Sequence, residues 1–133
     1  MNFHFGKKSR EYLDTVDPQL RLVALKALEL TPIDFGITEG IRSNQRQREL
    51  VEQGKSKTLK SKHIEGKAID IVCYVSGRVT WDLEYYQIVA NAFGIASHQL
   101  GINIRWGGSW IVNDFSLNPH NKFIDAVHYE LAE

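Results

Sequence analysis

Apolar residues at Leu20, Val23, Ala24, Ala27 and Leu28 recur at the three-to-four-residue interval of one helix face. Asp17 and Pro18 supply an N-cap and a first helical residue, and Pro32 stops the run, so the pattern predicts a helix from Pro18 to Leu30. The period then shortens. DFGITEGIR (34–42) is partly β-branched and punctuated by glycine, which reads as a strand. Ser43 caps a polar helix that ends at Gly54. Beyond a basic run, KSKTLKSK (55–62), stands KAIDIVCYV (67–75), the strongest strand pattern in the chain. Ser76 and Gly77 turn it into a short partner over Arg78–Thr80. Helical spacing returns from Asp82 to Leu100, with Tyr85, Val89, Ala92, Phe93, Ala96 and Leu100 marking the inner face. INIRW (102–106) is a strand. Gly107-Gly108 and a polar loop (111–122) follow it, and AVHYEL (126–131) is the last strand. This order predicts an α+β fold, a small antiparallel sheet packed by helices.

Length and charge narrow the picture. At 133 residues the chain suits one domain, 1–133, able to bury a core without disulfides or a structural metal. Sixteen basic residues balance sixteen acidic ones, so neither nucleic acid nor an anionic membrane is an expected partner. MNFHFGKKSREYLDTV contains no long apolar run; neither a signal peptide nor membrane insertion is expected. The single cysteine, Cys73, excludes an intrachain disulfide and suits a reducing compartment.

Two polar residues break apolar strands. In SKHIEGKAID (61–70), Asp70 follows Ala68 and Ile69, and a buried carboxylate must be paired, hydrogen-bonded or coordinated. In AVHYEL, His128 lies among apolar neighbours. If the two strands pair, Asp70 and His128 share a face, and His63 arrives from the preceding loop. Two imidazoles and one carboxylate leave the fourth position of a tetrahedral zinc open, as catalytic rather than structural sites do. Cys73, three residues past Asp70, faces the core instead. Asp125, three residues before His128, is a candidate general base. Glu130 shares a strand face with His128 and is either its outer partner or an exposed carboxylate. His120, in the loop NPHNK, is the competing third ligand. Taken singly, each residue also fits a bland role: a surface ion pair for Arg42, a turn hydroxyl for Ser61, a solvated segment for the basic run.

As a set, the residues resemble a known superfamily. Ser61, His63, Gly66, Ala68 and Asp70 form S-x-H-x-x-G-x-A-x-D, similar to the motif of the VanX/VanY-type zinc D-alanyl-D-alanine peptidases. The later D-x-x-H (Asp125, His128) and the R-S-x-x-x-Q of Arg42, Ser43 and Gln47 match its other parts. FHFGKKSREYLDTV, GITEGIRS and RWGGSW resemble segments of bacteriophage endolysins that are L-alanyl-D-glutamate endopeptidases, so the likeness covers nearly the whole chain.

That resemblance implies a hedgehog/D-Ala-D-Ala-peptidase-like fold and one Zn2+ held by His63, Asp70 and His128. It implies Asp125 as base and then acid, where carboxypeptidase relatives often carry glutamate. Arg42 would bind a substrate carboxylate or stabilise the oxyanion, and Ser61 would hydrogen-bond the substrate. The implied substrate is the L-Ala–D-Glu bond of peptidoglycan stem peptides, cut during host lysis. The implied setting is a monomer held in the host cytoplasm until a separate holin opens the way to the wall. One departure concerns calcium. IVNDFSLNPHNKF offers Asp114 as its one carboxylate, fewer oxygens than calcium prefers, so no calcium switch is expected. The alternatives are a D-Ala–D-Ala or L,D-carboxypeptidase and a non-catalytic zinc binding module.

Overall fold

A computed structural model describes residues 3–56 and 61–132, so much of the basic run 55–62 lies outside the described residues. The elements are α1 (Lys7–Leu13), α2 (Pro18–Leu30), β1 (Asp34–Glu39), α3 (Asn44–Glu52), β2 (Ala68–Val75), β3 (Arg78–Thr80), α4 (Leu83–Leu100), β4 (Ile104–Trp106) and β5 (His128–Leu131). The sheet runs β1-β2-β5-β4, β3 pairs with β2, and all these pairings are antiparallel. The expected α+β architecture is present.

Most boundaries follow local chemistry. The Asp17 side chain accepts from the Gln19 amide, and the Ser43 hydroxyl accepts from the Arg46 amide, so α2 and α3 begin at their caps. Ser76 and Gly77 have φ of 53° and 75°, the paired left-handed geometry of a tight hairpin. Gly101, at φ 66°, ends α4.

The structure departs from the predicted pattern in several places, β4 for instance beginning at Ile104 rather than Ile102. Helix α1 has no counterpart in the predicted pattern; it forms because Phe5 and Leu13 bury against the body and the Ser9 hydroxyl accepts from the Ile37 amide of β1. β1 ends at Glu39 rather than Arg42, because Gly40 lies against α1, where a Cβ would come within 2.5 Å of the Tyr12 carbonyl oxygen. On α4 the inner face carries Tyr86, with Tyr85 only half-buried and Leu100 exposed. The Tyr86 hydroxyl fixes that rotation by donating to the Thr80 carbonyl and accepting from the Cys73 amide. Finally, Ala126 and Val127 lie in a turn, not in the last strand, because the His128 amide donates to the Asp125 carbonyl.

Strand alternation sorts the sheet into two faces. Ile69, Ile71, Cys73, Tyr129 and Leu131 join Leu20, Val23, Ala27, Val89 and Phe93 in the core. Phe93 stacks on Tyr129 with ring centroids 3.8 Å apart, and each such buried side chain contributes about 2–3 kcal/mol. The intervening residues, Asp70, His128, Glu130 and Arg105, fall on the other face. Among the described residues no helix is long and apolar enough to cross a membrane.

Candidate metal centre

Asp70 of β2 and His128 of β5 are direct cross-strand partners. His63 enters from the turn before β2, its carbonyl accepting from the Arg42 amide at 2.9 Å. His63 Nε2 lies 3.2 Å and His128 Nδ1 3.3 Å from the same oxygen, Asp70 Oδ1. One ligand atom from each of the three residues lies within 4.8 Å of the others, close enough to hold one metal ion. His120 is exposed in its loop and takes no part.

The far nitrogens test that fit. His63 Nδ1 faces the Gly40 carbonyl oxygen at 2.9 Å, and His128 Nε2 faces Glu130 Oε1 at 2.9 Å. Each ring therefore meets an acceptor on both nitrogens, yet a neutral imidazole carries one proton. An added proton can balance the metal-free cluster; a cation between His63 Nε2, His128 Nδ1 and Asp70 would take its place, with the imidazole protons on the outer nitrogens. Glu130 is tied in turn to Arg105 at 2.9 Å. The donor set suits a divalent ion that accepts nitrogen and oxygen.

The remaining predicted residues surround this cluster in a cleft of about 570 Å³ lined by Glu39, Arg42, Ser61, Asp125 and Trp110 among others. Asp125 reaches it because of the turn: three residues apart on a strand, it would face away from His128. Gly107 permits the approach, its carbonyl accepting from the Asp125 amide and its own amide donating to the His128 carbonyl. A Cβ there would collide with the Asp125 carbonyl. The Arg42 side chain is buried and donates to both oxygens of Glu39 and to Gln47 Oε1. The Ser61 hydroxyl oxygen accepts from the His63 amide at 3.1 Å. Trp110 forms one wall, stacked on Phe123 and 5.4 Å from the His128 ring, with its φ of 63° in the left-handed region. A non-glycine residue there costs roughly 1–2 kcal/mol.

Electrostatics divide the two aspartates. Burial pushes Asp70 up, but hydrogen bonds to His128 and His63 and their charge outweigh it and hold the carboxyl well below its usual range. Asp125 is pushed up, by burial first and then by the negative charge of Asp70. Neighbouring carboxyl groups with opposite shifts are what a ligand and a proton carrier need.

The chain matches the family model for phage L-alanyl-D-glutamate peptidase over residues 1–132. It is 45% identical, over 99% of its own length and 100% of the relative's, to the L-alanyl-D-glutamate peptidase of Escherichia phage T5. The chain belongs to the phage L-alanyl-D-glutamate peptidase family. A more distant relative, the L-alanyl-D-glutamate peptidase of Listeria phage A118, is 29% identical over 92% of this chain and 43% of its own. A crystal structure of Serratia marcescens L-Ala D-Glu endopeptidase ChiX superposes with a TM-score of 0.85 at 36% identity, covering 98% of this chain and 91% of that one.

Several residues that line or support this peptidase's site were not visible in the pattern of residues. Glu39, Arg105, Trp110 and Phe123 are not among the predicted site residues, although E-x-x-R at a strand end and an arginine inside INIRW were usable signals. The Gly40 carbonyl carried no signal at all.

His128 also predicts how metal loading depends on pH. Burial pushes its pKa down, but hydrogen bonds to Asp70 and Glu130 prevail and raise it from 6.5 to about 9 in the metal-free protein. The raised value means that this proton's contribution to metal-free stability is fully present below pH 6.5 and is lost as pH rises through about 9. A metal ion must displace that proton. Calorimetric titration of metal into the stripped protein at pH 7, in buffers of different ionisation enthalpy, should show at least about one proton released per ion. Release of none would mean that His128 is not a ligand.

Proposed function

We propose that this protein hydrolyses the L-Ala–D-Glu bond of peptidoglycan stem peptides with one zinc ion held by His63, Asp70 and His128. The observation that carries this reading is convergence: two imidazoles, their shared carboxylate, a second carboxyl with a raised pKa and a buried arginine in one cleft. Zinc held there would supply Lewis-acid polarisation of the scissile carbonyl and acidification of the attacking water.

The chain's own residues do the rest. Asp125 takes the proton as water attacks and returns it to the leaving amine of D-glutamate. Arg42 faces the negative charge that develops on the carbonyl oxygen. The Gly40 carbonyl and Glu130 keep the two imidazoles turned inward, and the Ser61 hydroxyl stands at the cleft edge for the substrate backbone. No covalent intermediate is required. The protein acts as a monomer, reaching the wall from the host cytoplasm once a holin has opened the membrane.

Mass spectrometry of Gram-negative peptidoglycan digested with the protein tests this. Expected products are glycan-linked L-alanine ends and peptides beginning with D-glutamate, lost on chelation and restored by zinc. Free D-alanine alone would move the protein to the carboxypeptidases. No product with zinc bound would leave a binding module.

A further inference from the structure

Glu39 has no role in the chemistry derived above, yet the fold goes out of its way to place it. β1 and β2 keep one register from Asp34↔Tyr74 to Ile37↔Ile71, then slip so that Glu39 pairs with Asp70. In an unbroken ladder Thr38 would oppose Asp70, and Glu39 would follow Phe35 and Ile37 onto the core face. The extra residue turns Glu39 over onto the face of Asp70 and His128, the re-aiming that β-bulges beside active sites perform.

There it meets Arg42. Glu39 Oε1 accepts from Nε at 2.8 Å and Oε2 from Nη2 at 2.7 Å, a two-pronged pair, while Gln47 Oε1 accepts from Nη1 at 2.6 Å. Three of the guanidinium's five N–H groups are thereby engaged. The contact from Nη2 to Asp70 Oδ2, at 3.7 Å, is too long for a hydrogen bond. Among the described residues, one N–H on each terminal nitrogen remains for a ligand. The side-on fork of Nε and Nη2 is already filled, so an incoming group meets only the terminal N–H pair, and the arginine's charge is balanced by its neighbour.

We propose that Glu39 is a positioning residue for hydrolysis: it locks Arg42 so that its two remaining N–H groups serve the carbonyl oxygen as charge develops. This rests on the peptidase reading above, in which Arg42 faces the charge that develops on the carbonyl oxygen. An interaction made in the transition state lowers kcat when lost, whereas a ground-state carboxylate grip appears in KM.

The test is steady-state kinetics on a soluble stem-peptide substrate for the zinc-loaded protein and for Glu39→Gln, Arg42→Lys and the double variant. Glu39→Gln keeps the size of the side chain and removes one acceptor. It should lower kcat on the order of a hundredfold, as loss of alignment at a reacting centre does, with KM within about twofold of wild type. Zinc content and melting temperature should match wild type. In the Arg42→Lys background the same change should cost nothing further, because Glu39 acts through the guanidinium. A rise in KM at unchanged kcat, losses that multiply in the double variant, or a loss that tracks zinc content or melting temperature would each overturn the proposal. So would an Arg42→Lys protein as active as wild type. A wild-type protein that cuts nothing would fail the functional reading itself, an outcome distinct from a cutting wild type with an unaffected Glu39→Gln.

Discussion

Replacing Asp125 by asparagine is expected to lower kcat by about two to four orders of magnitude while leaving the metal in place. The backbone around Asp125 is held independently of its side chain. Its amide donates to the Gly107 carbonyl at 2.9 Å, and its carbonyl accepts from the His128 amide at 3.0 Å. Asparagine keeps the side-chain volume and cannot accept the proton of the attacking water. Burial and the charge of Asp70 raise the carboxyl's pKa towards the range where a general base is most effective, while His128, His63 and Arg42 pull it the other way. Kinetics on purified peptidoglycan fragments and elemental analysis of the same preparation would separate catalysis from metal loss. Activity close to wild type would remove Asp125 from the proton path. A large loss with an empty metal site would make it a structural prop of the His128 turn.

Stripping the metal is the second change with a large expected effect, and it should show in stability as well as activity. Without a cation, His63 Nε2 and His128 Nδ1 both crowd one oxygen of Asp70, and the buried cluster depends on an added proton for its balance. A ligand bound only by the folded state stabilises it by about 4 kcal/mol at a free concentration a thousandfold above its dissociation constant. For a domain of this size that is a rise in melting temperature on the order of ten degrees or more. Thermal scans of stripped and zinc-restored protein should show that separation, and hydrolysis should fall to background in the stripped form. His63→Ala should reproduce the stripped state even with zinc present, since it removes a ligand and leaves the Gly40 carbonyl without its partner. Equal melting temperatures and equal activity, with metal removal verified, would end the metallopeptidase reading.

Both expectations depend on parts of the molecule that differ in how visible they are from residues alone. Helices α2, α3 and α4, the β2–β3 hairpin and the inward face of β2 were legible because period, caps and turn residues act over a few positions. Asp70 and His128 were legible for a related reason: a charge or imidazole inside an apolar strand must be compensated, so the anomaly itself announces a site. Tertiary structure alone decided the rest. The pairing of Asp70 with His128 is a register between strands 58 residues apart. Asp125 faces the cleft only because a turn replaces two expected strand residues. Glu39 reaches Arg42 through a one-residue slip, and the Gly40 carbonyl orients His63 from across the fold. Helix α1, short and weakly patterned, forms because β1 offers it a surface. These depend on which segments meet and in what alignment, and that alignment is settled by burying all the apolar faces at once, a balance summed over the whole chain that no local run of residues contains.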